Sequence, residues 1–189
     1  MKVADKVKGS VPLTSQRVRS VAGFFMHPVP PGRLATGRPG AGKTGVMVPG
    51  ENSLYVRVGG FDKIFDLCER WHQLCLADPA AAHPFEHGVH PQHSERLAAY
   101  LAEAFGGPAL YTGGYGDESY VQKIHACNGM HIELDEACLA AFDQALADVG
   151  IVGEPGAEAS AYFRRATVEQ RQYSTSDAVV ADGLPLNYA

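Results

Sequence analysis

Between residues 53 and 175 the apolar positions recur three and four apart and never alternate, which predicts helices and no strands. Asn52-Ser53 offers an N-cap for a short helix through Val58. After Gly59-Gly60, the residues Phe61, Ile64, Phe65, Cys68, Trp71, His72 and Cys75 fall on one helical face, with a histidine among apolar neighbours. Asp78-Pro79 marks a boundary, and residues 80–85 have room for only a short turn of helix. Pro91 suits the first turn of the next helix. Its stripe is His93, Leu97, Tyr100 and Ala104, with Leu101 and Phe105 beside it, and Gly106-Gly107-Pro108 stops it. A shorter helix carries Tyr120, Val121, Ile124 and His125 on one stripe, and Asn128-Gly129 supplies the left-handed residues expected to end it. Leu134, Cys138, Ala141, Phe142, Ala145, Leu146 and Val149 define the longest clean face. A last amphipathic helix follows Gly153-Glu-Pro-Gly156, on Ala159, Tyr162, Phe163, Ala166 and Tyr173. The predicted domain is all-α.

Residues 1–50 follow another pattern. Prolines and glycines interrupt every helical period there, and the segment carries eight Lys or Arg against Asp5 alone, whereas the rest of the chain has eight basic and twenty acidic residues. The expected organisation is a flexible basic extension over 1–50, a helical domain over 51–175 and a C-terminal tail over 176–189. The acid-poor extension lacks the apolar core of a signal peptide but is compatible with a transit sequence, and a translation start at Met47 is a third reading. Residues 37–44 satisfy the phosphate-binding pattern GxxxxGK[ST]. A working loop of that kind needs a strand before it and a helix after it, and prolines and glycines stand in both places. Nucleotide binding is therefore not expected.

The acidic balance of residues 51–189 argues against a nucleic-acid partner, since phosphate contacts need clustered cations. No apolar run approaches the roughly 20 residues of a membrane helix. Cys68, Cys75, Cys127 and Cys138 show no CxxC spacing and suit free thiols in a reducing cytoplasm. His83, His87, His90 and His93 are spaced for a metal site on one helix, but Pro84, Gly88 and Pro91 break that helix. Three of the four read more simply as polar loop residues.

The glycine pairs at 59–60 and 106–107, Phe85 after a Pro-interrupted segment, and His125 ahead of a long amphipathic helix together resemble the truncated haemoglobins, the small two-over-two globins. The resemblance covers roughly residues 53–173. It implies a two-over-two helical sandwich that holds haem b, with His125 as the proximal iron ligand and its Nδ1–H held by a carbonyl near Val121. It places Phe85, Leu97, Ile124 and Arg96 at cofactor-contacting positions, Arg96 where such globins set a base against a haem propionate. Read from the residues alone, Phe85 and Leu97 are core residues and Arg96 a solvated charge. His72 matches the B-helix position that usually carries Tyr, and His93 the distal E-helix position, so both imidazoles are expected to point into one pocket. The resemblance is group II-like, and Cys138, standing where the second group usually has Trp, departs from that group's pattern. The implied function is reversible binding of oxygen and related diatomic gases. The alternative is an enzyme turning over nitric oxide or peroxide, as a nitric oxide dioxygenase or peroxidase, which would draw on an unidentified reductase. A third class, a helical module without haem, would leave several imidazoles buried without a ligand.

Overall fold

The structure, a computed structural model, describes residues 49–85 and 90–189; the basic extension with its 37–44 motif, and His87, lie outside them. Among the described residues seven α-helices follow in order: α1 Leu54–Arg57, α2 Gly60–Ala77, α3 Pro79–Ala82, α4 His93–Ala104, α5 Glu118–His125, α6 Ile132–Asp148 and α7 Gly153–Gln170. Short 3-10 turns at His83–Phe85 and Arg171–Tyr173 extend α3 and α7, and no strand occurs among the described residues. Helix α2 packs on α4 and α6 on α7, and the two pairs meet chiefly through α2 on α6, which is the two-over-two sandwich. No helix among the described residues is long and apolar enough to cross a membrane.

Local chemistry sets the ends of these helices. The side chains of Ser53, Asp78 and Asp117 accept from Val56, Ala80 and Tyr120 N–H, capping α1, α3 and α5. Gly106 takes φ +82°, and a Cβ on Gly107 would come within 2.6 Å of both the Ala102 carbonyl oxygen and the Tyr55 ring. The second glycine pair therefore lets α1 close onto the end of α4, where Tyr55 N–H donates to Phe105 O at 2.8 Å.

Four expectations need correction. The buried face of α2 is Ile64, Leu67, Cys68, Trp71 and Cys75, with Phe61 and Phe65 only at its edge. Pro91 precedes the Gln92 cap of α4 rather than entering its first turn. The last helix begins at Gly153, so Pro155 lies within its first turn, where the missing N–H costs nothing. Helix α5 stops at His125 because Ala126 turns extended, and the left-handed residues are Cys127 and Gly129. Asn128 contributes through its side chain instead, its Nδ2 donating to the His125 carbonyl at 3.0 Å.

Helix α4 is buried along nearly its whole surface, polar residues included. A single apolar stripe understates such a helix, because it runs through the middle of the domain. Among them Glu103 accepts from Tyr111 N–H and Thr112 N–H, each at 2.9 Å, and so pins the connection to α5.

Candidate functional site

Between α2, α4, α5, α6 and α7 lies a cavity with about 890 Å³ of empty space, part of it open to solvent. Its wall is mostly apolar and includes Phe85, Leu97, Leu134 and Phe163, and two imidazoles, His93 and His125, border it from different helices.

His125 is the last residue of α5, and its Nδ1 lies 2.8 Å from the Val121 carbonyl oxygen one turn back. A carbonyl only accepts, so Nδ1 carries the proton and the lone pair belongs to Nε2. Burial pulls the imidazolium pKa down to about 4, against the opposing pull of the Val121 bond, so the ring is neutral at neutral pH. This is the protonation state and the orientation device of a metal-ligating histidine.

His93 opens α4 and is 3 % exposed. Its ring stacks on Trp71 at 6.1 Å and 11°, meets Phe85 edge-on at 5.7 Å, and lies 4.5 Å from the His72 ring. Burial first, then the neighbouring His72 and His90, push its pKa down to about 3. The indole of Trp71 is itself held, donating from Nε1 to the Cys138 carbonyl at 3.0 Å.

The residues singled out by sequence divide into two sets. Phe85, Leu97, His93 and His125 meet at the cavity, and Cys138 forms part of its wall. His72, Arg96 and Ile124 do not line it. His72 borders a neighbouring surface cleft with Phe65, Glu69 and His90, and His93 stands between that cleft and the cavity. The imidazoles of His72 and His93 thus lie one behind the other, tilted by 42°, rather than side by side in one pocket. The Nε2 of His72 is buried with no hydrogen-bond partner among the described residues. Arg96 is neither solvated nor turned to the cavity. Its guanidinium is buried, donates to the Tyr115 carbonyl at 3.1 Å and lies 5.0 Å over the Tyr115 ring. Ile124 is buried away from the cavity lining. Among the described residues no group of three or more His, Cys, Asp and Glu is placed to hold a metal ion.

Two features were not read from sequence. One end of the cavity is polar: Tyr100 and Gln122 line it, and both donate to the buried carboxylate of Glu118, at 2.9 and 2.6 Å. Glu118 lies in the first turn of α5, where an acidic residue is ordinary, so nothing in its local pattern separates it from a solvated charge. The other is Asp135, which also lines the cavity and receives Arg171 Nε at 2.8 Å. Burial raises its pKa against the opposing pull of that guanidinium.

The bacterial-like globin family model matches residues 53–168. No curated protein matches the chain in sequence. Among solved structures, the group II truncated haemoglobin of Bacillus anthracis is similar at TM-score 0.58 and 19% identity, covering 65% of this chain and 92% of that one. The haemoglobin of the thermophilic phototroph Chloroflexus aurantiacus gives TM-score 0.56 and 24% identity over 64% of this chain and 98% of that one. A thermostable haemoglobin from Thermobifida fusca gives 0.54 and 20% over 70% and 99%. At these identities the structures speak for the fold. The matched family model takes in the cavity, both of its imidazoles and all four helices of the sandwich, and by that match the chain belongs to the bacterial-like globin family.

Proposed function

We propose that this chain binds haem b in the cavity, with His125 as the proximal ligand, and takes up oxygen and related diatomic gases reversibly beneath His93. The observation that carries the reading is the bond from His125 Nδ1 to the Val121 carbonyl, which presents the Nε2 lone pair of a neutral imidazole at the wall of an apolar cavity. Bound haem supplies an iron centre that accepts diatomic ligands. The protein's residues do the rest. Phe85, Leu97 and Phe163 exclude water, His125 anchors the cofactor, and His93 offers a neutral imidazole to whatever is held near it. Arg96 is committed to Tyr115, so a propionate contact from it requires that bond to break. Its role toward the cofactor is accordingly left out of the proposal.

The packing of His93 between Trp71, Phe85 and His72 favours donation of a hydrogen bond over ligation of the iron, since leaving that stack forfeits three ring contacts. The reduced, deoxygenated protein is then five-coordinate. Absorption spectra of the purified protein, with dithionite and with carbon monoxide, test the assignment directly. His125→Ala is expected to lose haem on gel filtration, and retention of a normal Soret band would refute the ligand. Low-spin ferrous bands that vanish in His93→Leu would establish ligation by both histidines instead.

A further inference from the structure

The helix that carries His125 packs through buried side chains, Val121 among them, rather than through close backbone approach to another helix. Extensive helix-to-helix contacts join α2 to α4 and α6, and α6 to α7, and leave α5 out. What lies along α5 is the C-terminal segment, which begins after the region matched by the family model. It has no regular secondary structure, yet it runs antiparallel to α5 over the helix's length. The Ala178 carbonyl accepts from Cys127 Sγ at 3.6 Å just past the helix end, and Asp182 pairs with Lys123. Leu184 N–H then donates to Ser119 Oγ at 2.9 Å and Asn187 N–H to Glu118 Oε2 at 3.3 Å. The end of the segment is tied to the rest of the sandwich. Tyr162 OH donates to the Asn187 carbonyl at 2.9 Å, Arg165 to the Tyr188 carbonyl at 2.9 Å, and Ala189 N–H to the Ala104 carbonyl at 2.9 Å.

The contact at Glu118 reaches the cavity. The carboxylate oxygen that receives Asn187 N–H also receives Tyr100 OH, and the other oxygen receives Gln122 Nε2. Tyr100 and Gln122 line the cavity, and Gln122 lies on α5 one turn before His125. A single backbone N–H of the tail thus completes a buried carboxylate network that ends at the cofactor site. A carboxylate deprived of a donor in such a network relaxes toward its remaining partners, and here those partners are cavity-wall residues on α4 and α5.

We propose that residues 182–189 form a strap that positions α5, with Asn187 and Glu118 as positioning residues acting on His125 through the helix and on the cavity wall through Tyr100 and Gln122. The strap adds two backbone hydrogen bonds and an ion pair to the side-chain packing of α5. It acts on haem retention and on the strain of the bond between His125 and the iron, and so rests on the proximal assignment proposed above.

The test uses the full chain loaded with haem. Asn187→Pro deletes the N–H that Glu118 receives, while Asn187→Ala keeps it. The rate of haem transfer to excess apomyoglobin and the iron–histidine stretching band of the reduced protein are measured for both, with far-ultraviolet circular dichroism to follow helix content. Asn187→Pro is expected to lose haem about tenfold faster and to shift the band, with helix content unchanged and Asn187→Ala close to the parent. Ser119→Ala, which removes the acceptor of Leu184 N–H, moves both readings in the same direction. If Asn187→Pro and Ser119→Ala match the parent in haem loss and in band position, the strap has no positioning role. A parent chain that takes up no haem, or binds it unchanged after His125→Ala, overturns the proximal assignment rather than the strap.

Discussion

At the scale of single residues the site is built from imidazoles kept neutral by burial. His93 and His125 have pKa values pushed from 6.5 down to about 3 and about 4. In the unfolded chain both take a proton near their ordinary value, whereas the fold holds them neutral well below it. Protons therefore bind the unfolded state preferentially, stability is complete above about pH 6.5, and it falls as the pH drops toward 4. A depression of this size is worth on the order of 3 kcal/mol or more for His93, which is almost fully buried against His72 with His90 nearby. The haem-free protein should thus show a lower urea midpoint at pH 4.5 than at pH 7, and His93→Leu should narrow that difference. On the ligand side, loss of one hydrogen bond of roughly 0.5–1.5 kcal/mol implies oxygen dissociation about two- to tenfold faster in His93→Leu. His72 lies behind His93 and off the cavity, so His72→Leu should act through the packing of His93 and produce the smaller change. Stopped-flow oxygen release that is faster in His72→Leu than in His93→Leu would reverse the two roles.

Helix α5 is eight residues long, too short to stand by its own propensity, and depends on its cap and on its surroundings. Asp117 accepts from Tyr120 N–H at 2.7 Å at the N-terminus. Asp117→Ala is expected to cost roughly 0.5–2 kcal/mol in denaturant unfolding and to speed haem loss, while Asp117→Ser recovers most of both. Equal haem loss in Asp117→Ala and the parent would show that the cap does not govern the proximal side. The junction of α1 with α4 poses a purely steric demand. A Cβ on Gly107 has the Ala102 carbonyl and the Tyr55 ring at 2.6 Å, so Gly107→Ala should destabilise by roughly 1–3 kcal/mol as α1 is pushed off Phe105. Because neither Gly107 nor Tyr55 lines the cavity, the absorption spectrum of the loaded variant should stay that of the parent.

Across the whole molecule, the family match and the sandwich helices all fall after residue 52. A chain beginning at Met47 is therefore expected to fold and to bind haem as the full chain does, because residues 1–46 carry no periodic apolar face to pack on the core. Loss of helical signal or of haem on that truncation would assign the basic segment a structural part. Equilibrium dialysis with ATP should find no binding, since no strand-and-helix frame is expected around residues 37–44; a micromolar affinity lost in Lys43→Ala would restore the phosphate-loop reading.

What the sequence by itself determined was everything carried by short-range periodicity and by backbone exceptions. The helices, the glycine pair that lets Tyr55 approach, and His125 one turn beyond Val121 are all local, because a helix repeats every 3.6 residues and a carbonyl four residues back is always within reach. Periodicity resolves one face of a helix against water, so it failed where water is absent on every side. Along α4 it saw the stripe through His93 and Leu97 but left Arg96 a solvated charge, and the family resemblance set it against a propionate, when burial had closed Tyr115 over it. The resemblance likewise implied a place for His72 in the pocket, but Phe85 and His93 stand against it and it borders the neighbouring cleft. Only the tertiary structure decided which polar groups meet. Glu118 finds Tyr100 and the N–H of Asn187, 69 residues away, because a buried carboxylate must be supplied with donors from whatever chain passes within reach, and no local pattern records which chain that is.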